Sequence, residues 1–316
     1  MSSTAGLQAK PIIGVIGGSG LYKLQGLKVV QQIEVKTPWG SPSSPITISE
    51  TPSGVPIAFL ARHGFTHHIT PSGVPNLANI AALKSIGVRF IVAFTAVGSL
   101  KEEVRPRDFV VPDQLFDRTK GIRRSSFFGY DGEAGVVAHA GMGQPYDQEV
   151  RKVVEETIRS VLSRNYPDVQ VHGNKTLVVM EGPQFSTRAE SLAYRQLGGD
   201  IINMSALPEA KLAREAEIGY VTVATSTDYD SWREHHGPVD VSEVLKVLKQ
   251  NVDASNEVSL RLFDVLQPLL LAREGKPGGI SGLEGSMKMA IMTQPQNVPE
   301  KVKANINFVL DWYGKE

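Results

Sequence analysis

Residues 219–232 read G-Y-V-T-V-A-T-S-T-D-Y-D-S-W, a run of β-branched and small residues that gives way to two aspartates one residue apart, Asp228 and Asp230. Such a run predicts a buried strand, because a strand covered on both faces loses the apolar–polar alternation of a half-exposed one. In open α/β sheets ligands are met in the crevice beyond the carboxyl ends of the strands, where these acids would stand. Extended backbone at a spacing of two sends both side chains to one face. A plainer role is also compatible with this stretch alone, since aspartate commonly opens a turn after a strand.

The 316 residues are 41% hydrophobic and 21% charged, an ordinary globular composition with room for one large core or two smaller ones. Absence of cysteine excludes disulfides, thiolate metal sites, iron–sulfur clusters and cysteine nucleophiles, leaving the chemistry to oxygen and nitrogen groups. Lys+Arg and Asp+Glu each total 33, so no net positive field draws in nucleic acid or a membrane surface, and a small-molecule partner is expected. Apolar runs such as 90–97 fall far short of the roughly 20 residues of a membrane helix, and the polar start at 1–10 lacks an apolar signal core. A cytosolic protein is expected; the sequence leaves entry into the nucleus undecided.

Outward from the first stretch the same pattern recurs. After a short flexible lead at 1–10, an apolar strand at 11–16 runs into Gly17-Gly18-Ser19-Gly20. Glycines there let backbone N–H groups converge and the serine adds a donor, which suits an anion cradle or a simple tight turn. The spacing fits neither G-x-G-x-x-G nor G-x-x-x-x-G-K-[ST]. Alternating segments at 46–50 and 55–60 predict a hairpin. Arg62-His63-Gly64 follows it, and a guanidinium fork with a histidine beside it matches phosphate. His63 and His67, four apart, raise a zinc reading that Gly64 and the missing H-E-x-x-H glutamate weaken; a basic surface loop is the other alternative. Helical spacing at 75–86 precedes a buried strand at 90–94 that ends in Thr95-Ala96-Val97-Gly98-Ser99. Three apolar strands ending in small residues, hydroxyls or an arginine are hard to ascribe to chance turns.

Further along, 108–112 predicts a short strand. Residues 119–135, rich in Gly, Ser and Arg with Phe127, Phe128 and Tyr130 interleaved, predict a loop that covers a site or meets another subunit. An amphipathic helix is expected at 146–165 and a strand at 176–180, after which Thr187 and Glu190 form a capping box. Phe185, in the loop between, can stack on a flat base, although an isolated phenylalanine is more commonly core. A strand at 200–203 closes on Met204-Ser205, with Ser205 placed to cap a helix at 206–216 whose N–H groups would favour an anion. After a turn at 233–238, Asp240 and Glu243 cap one long helix to about residue 271. The Gly, Pro, Ser and Lys content of 273–296 predicts a flexible insertion, and 305–312 a last helix. Strands and helices alternate without a linker before residue 272, so residues 1–316 are expected to form a single α/β domain.

Taken together, I-I-G-V-I-G-G-S-G-L (12–21), A-R-H-G (61–64), T-A-V-G-S-L (95–100), E-G-P-Q-F-S-T-R-A-E (181–190), I-I-N-M-S-A-L-P-E (201–209) and T-D-Y-D-S-W (227–232) resemble the trimeric purine nucleoside phosphorylase family, in the family's order over residues 11–270. The resemblance implies a mixed central sheet and distorted barrel flanked by helices, a homotrimer, no cofactor or metal, and inorganic phosphate as co-substrate. It implies reversible phosphorolysis of 5′-methylthioadenosine to adenine and 5-methylthioribose 1-phosphate, a step of purine and methionine salvage. Carried over by position, Ser19, Arg62, His63, Thr95, Ala96 and Ser205 would hold phosphate. Met204 would lie against the ribose and Phe185 against the base, with Ser186, Asp228 and Asp230 framing the purine. Val241 and a neighbouring subunit's His139 position would enclose the methylthio group. Ser19 and Ser205 stand where relatives can carry threonine, and the chain from 273 on has no clear counterpart.

The chemistry asks for such a set. Cleaving an N-glycosidic bond builds positive charge on the ribose and negative charge on the purine, so an anion is needed beneath the sugar and a proton at purine N7. Asp228 is the candidate acid, with a pKa raised by burial. Protonated, it can donate to N7 while its other oxygen accepts from the N6 of adenine; a 6-oxopurine offers two acceptors instead. Asp228 thus argues against the alternative of an inosine or guanosine phosphorylase, and Val241 argues against a 5′-hydroxyl. A non-catalytic nucleotide-binding α/β protein that kept only the glycine loop is a further alternative.

Overall fold

A computed structural model describes residues 9–18, 25–129, 135–233 and 240–315. Ser19, Tyr130 and residues 234–238 of the expected turn lie outside them. The elements run β1 (Ile13–Gly17), β2 (Lys28–Ile33), β3 (Ile46–Glu50), β4 (Pro56–Ala61), α1 (Asn76–Ser85), β5 (Phe90–Ser99), β6 (Phe109–Val111), β7 (Gln114–Asp117), α2 (Gln148–Asn165), β8 (Val171–Gly173), β9 (Thr176–Val179), α3 (Arg188–Gln196), β10 (Ile201–Asn203), α4 (Ala206–Glu215), β11 (Gly219–Tyr229), α5 (Val241–Gln250), α6 (Val252–Leu271) and α7 (Glu300–Val309).

β5 is the pivot of the sheet. Its first half pairs in parallel with β1, and β1 pairs in turn with β4. Its other edge pairs in parallel with β11 along its whole length. Its last residues, Gly98 and Ser99, pair antiparallel with β10. From β10 the sheet continues to β9 and β7, and from β11 to β6 and β8. Only residues 112–113 separate β6 from β7, so these two branches wrap toward each other and roll one end of a mixed sheet into a distorted barrel.

The layers explain the unbroken apolar run of β11. Tyr220 and Ala224 face the cluster with Ile80, Leu83, Ala213 and Ile306, from α1, α4 and α7. Val221 and Val223 face Val154, Leu162, Leu262 and Phe263, from α2 and α6. Alternate residues of one strand are buried against helices on opposite faces, as period-2 geometry requires. Among the described residues no helix is long and apolar enough to cross a membrane.

Several boundaries differ from the sequence reading. β5 and β11 do not end at the small residues and acids but run through them, to Ser99 and Tyr229. The sheet hydrogen bonds of β10 and β5 carry them on. The expected single helix after Asp240 is two, broken at Asn251, whose side-chain amide donates to the Arg107 carbonyl at 2.8 Å. α2 starts at Gln148, capped by Asp147, because Tyr146 is buried with its hydroxyl on Thr222. α7 lies earlier than expected, at Glu300–Val309. In the 119–135 loop Phe127 and Phe128 are core, the first edge-on to Trp39, and the Phe127 N–H is held by Glu215. The 273–296 segment is tied down at several points: Arg273 pairs with Asp147 and Glu149, Met287 is buried and donates its N–H to Glu217, and Ile291 bridges to Ala138.

Candidate active site

The ends of β4, β5, β9, β10 and β11 and one face of α5 enclose a cavity of about 520 Å³. Of the residues expected at a site, Arg62, His63, Thr95, Ala96, Phe185, Met204, Ser205, Asp228, Asp230 and Val241 all line it. Ser186 does not; it is buried behind the wall, its hydroxyl directed at the Met180 sulfur. His139 is exposed, bonded through its backbone to Ala290, and lies outside the cavity of its own chain. Ser19 is outside the described residues.

On one side of the cavity the groups suit an anion. Arg62 follows β4 and is buried, with Nε and Nη2 donating to the carboxylate of Glu209 and Nη1 to the Phe94 carbonyl at 2.9 Å. A guanidinium has five N–H groups, so among the described residues two remain for a ligand. Burial works against its charge, yet the adjoining Glu209 carboxylate holds Arg62 above the ordinary guanidinium value. Tyr220 donates a third bond to Glu209 at 2.9 Å, so the pair is fixed from both ends. Gly18 lies directly on this fork: a Cβ there would sit 2.5 Å from Arg62 Nη1 and 2.8 Å from the Phe94 carbonyl, which only glycine avoids.

Beside it, the hydroxyls of Thr95 and Ser205 stand 3.0 Å apart, and the Asn203 amide donates to both, at 3.1 and 3.3 Å. Ser205 therefore does not cap α4 as expected; its hydroxyl turns to Thr95, and no side-chain cap bond forms. Nor does α4 present a regular N-terminal array of N–H groups, because Leu207 departs from helical geometry (φ −119°, ψ 137°) and Pro208 has no N–H. Side chains, not a helix terminus, make up this wall.

His63 Nδ1 lies 2.8 Å from the Ile69 carbonyl, which can only accept, so Nδ1 carries the proton and neutral Nε2 is an acceptor. Burial, then the charge of Arg62, pushes His63 down to about 4. The His67 ring sits 4.7 Å from it, and among the described residues no group of three or more His, Cys, Asp or Glu is arranged to hold a metal.

On the opposite side stand the two acids. A bulge between Ser226 and Asp228 shifts β11 against β5, and both aspartates end up over Gly98, where a Cβ would lie 3.2 Å from Asp228 Oδ2 and 3.5 Å from Asp230 Cβ. The shared face inferred from the sequence is therefore present. Burial raises Asp228 to about 6; the Thr227 hydroxyl, donating at 2.7 Å, works against this, and Asp230 adds to it. Asp230 is also raised by burial, with nearby Ser191 and Ser186 pulling it back, and its Oδ2 is buried without a hydrogen-bond partner among the described residues. Phe185 is 41% exposed, so it stands at the cavity rim and not in the core. Between the two sides, Val241, Val244, Leu245 and Leu248 present an apolar wall, the i, i+3, i+4, i+7 face of α5. Glu209 and Asn203 were not singled out from the sequence; a carboxylate and an amide within an apolar stretch were the available signal.

A cavity with hydroxyls and a guanidinium at one end and a buried acid of raised pKa at the other suits transfer of a glycosyl group between a base and an anionic acceptor. Residues 12–264 match the Phosphorylase superfamily, and the chain belongs to it. It is 56% identical over 305 residues to the S-methyl-5′-thioadenosine phosphorylase of Mycosarcoma maydis, covering 96% of each chain. With that of Yarrowia lipolytica it shares 51% identity, over 98% of this chain and 96% of the other. Among solved structures it superposes with a TM-score of 0.82 on a methylthioadenosine phosphorylase from an antarctic soil metagenomic library (41% identity, 95% and 99% covered). The Schistosoma mansoni methylthioadenosine phosphorylase in complex with adenine gives 0.80 (32% identity, 90% and 99% covered).

Proposed function

We propose that the protein is an S-methyl-5′-thioadenosine phosphorylase, a pentosyltransferase that reversibly converts S-methyl-5′-thioadenosine and inorganic phosphate to adenine and 5-methylthioribose 1-phosphate. The observation that carries this reading is Asp228, a buried acid with a pKa near 6, facing across one cavity the Arg62, Thr95 and Ser205 cluster. In the forward direction a phosphate oxygen held by that cluster attacks C1′ as the C1′–N9 bond breaks. The electron pair leaves with the base, and the Asp228 proton passes to N7, so adenine departs neutral. A positioned acid of this kind supplies about 10² to 10⁴ in rate. The two remaining N–H groups of Arg62 and the two hydroxyls hold the anion, Met204 and Phe185 bracket the ribose and base, and Asp230 stands beside Asp228 to frame the purine. The α5 wall takes the methylthio group, which needs no polar partner.

In this reading Ser19 and Ala96 complete the phosphate site and Ser186 acts from behind Asp230. His139, exposed and outside the cavity of its own chain, would contact the methylthio group in a neighbouring subunit's site of a homotrimer. The steps need no cofactor. The enzyme would serve purine and methionine salvage in the cytosol. The test is release of adenine by purified protein: it should require phosphate and strongly prefer methylthioadenosine over inosine. Equal release without phosphate would make the protein a hydrolase, and equal turnover of inosine would favour a 6-oxopurine enzyme.

A further inference from the structure

Arg123 lies in the 119–129 stretch, where the sequence gives no reason to separate it from its arginine neighbours. The residue is 7% exposed and its five N–H groups are all spent. Nε donates to the Ser72 hydroxyl at 3.2 Å, Nη1 to the carbonyls of Met204 and Leu207 at 2.7 Å each, and Nη2 to the carbonyls of Glu181 and Met180 at 2.7 and 3.4 Å. Five donors meet five acceptors, and none of them is a carboxylate. Ser72 closes a triangle by donating to the Glu181 carbonyl at 3.2 Å.

The acceptors belong to three segments that are far apart in sequence and share one property. The 69–73 segment brings Ile69 and Pro71 to the cavity, 180–183 brings Met180 and Pro183, and 204–207 brings Met204 and Ser205. A guanidinium buried among neutral carbonyls is costly, and burial lowers Arg123 from its ordinary value against the partial support of Glu209, Asp117 and Glu181. An ion pair would anchor the 119–129 stretch at less cost. What a planar fork adds is a fixed spacing between all three segments at once.

We propose that Arg123 is a positioning residue: its fork sets the distance between the 180–183 segment on the base side, the 204–207 segment on the ribose and anion side, and the 69–73 segment whose Ile69 carbonyl holds His63, and thereby the fit of both substrates. The proposal rests on the phosphorylase reading above. It makes Arg123 a determinant of binding that touches neither substrate.

Arg123→Lys keeps the charge but offers three donors from one point, which cannot span three segments. Steady-state kinetics of the full-length protein should show KM for methylthioadenosine and KM for phosphate rising together by about tenfold or more, since small misplacements of binding groups are costly. The pH midpoint set by Asp228 should not move. A purely structural role predicts something else: a lower melting temperature and a smaller active fraction, hence a lower maximal rate with both KM values unchanged. Both KM values within about twofold of the parent protein would overturn the proposal. If Arg123→Lys does not fold, Ser72→Ala decides, because Ser72 is exposed and the change removes the Nε acceptor together with the Ser72 bond to the Glu181 carbonyl, the two links that tie the 69–73 segment into this triangle. It should raise KM about threefold with melting unchanged, and an unaltered KM would count against the proposal. Parent protein that releases no adenine from methylthioadenosine and phosphate would refute the phosphorylase reading itself, a result separate from either variant.

Discussion

Asp228→Asn exchanges a carboxyl for an amide of the same shape, so its effects on folding and on rate can be separated. Burial, with Asp230 and Glu243 adding to it, makes this carboxyl titrate at about 6 in the folded protein, against an ordinary 3.8. At about 1.4 kcal/mol for each tenfold change in acidity, keeping it ionised in the cavity above pH 6 costs the folded state about 3 kcal/mol. The native state binds this proton more tightly than the unfolded chain. Between about pH 4 and 6 the native state therefore carries more protons, and its stability falls as pH rises through that window. The amide never ionises and keeps the acceptor for the Thr227 hydroxyl. Thermal melts should thus show the variant matching the parent near pH 4 and exceeding it by about 3 to 6 °C near neutral pH. Over the same interval adenine release should be slower by about 10² to 10⁴. A variant less stable than the parent at neutral pH would refute the burial argument, and an undiminished rate would mean that the proton comes from another group.

Three further outcomes follow from the same geometry. If the free enzyme must carry a protonated Asp228, kcat/KM for methylthioadenosine should fall about tenfold per pH unit above the midpoint near 6; a flat profile through that range would assign the acid elsewhere. Arg62→Lys should raise KM for phosphate by about 10- to 100-fold, because the two N–H groups left over from Glu209 and the Phe94 carbonyl are lost as a pair while the charge stays; unchanged phosphate KM would remove Arg62 from the anion site. Val241→Ser should lower the preference for methylthioadenosine over adenosine by about tenfold, measured as the ratio of their kcat/KM values, and an unaltered ratio would show that the thioether does not meet α5.

Much of the cavity could be read from strand ends, since apolar runs that meet hydroxyls, an arginine or paired acids have no other good use for those residues. Arg62, Thr95, Ser205 and Asp228 come from four separate places in the chain and meet in one space. What could not be read was how they are held. Nothing local tells that Glu209 occupies three of the donors around it, because the pair forms across 147 residues of sequence. Ser205 has the local marks of a helix cap, but the departure at Leu207 and the nearby Thr95 hydroxyl win over that propensity. The break at Asn251 was hidden for a similar reason: helical spacing continues across it, and only the distant Arg107 carbonyl shows why the turn is interrupted. Phe127 and Phe128 lie in a stretch with loop composition yet pack in the core, since aromatic burial was decided by Trp39 and its neighbours.

The most direct trial of the central claim is a crystal structure of the protein with phosphate and a non-reactive methylthioadenosine analogue. The account predicts phosphate within reach of Arg62, Thr95 and Ser205, and a carboxyl oxygen of Asp228 about 2.6 to 3.2 Å from purine N7. A phosphate bound outside that cluster, or an Asp228 side chain turned away from the base, would contradict it.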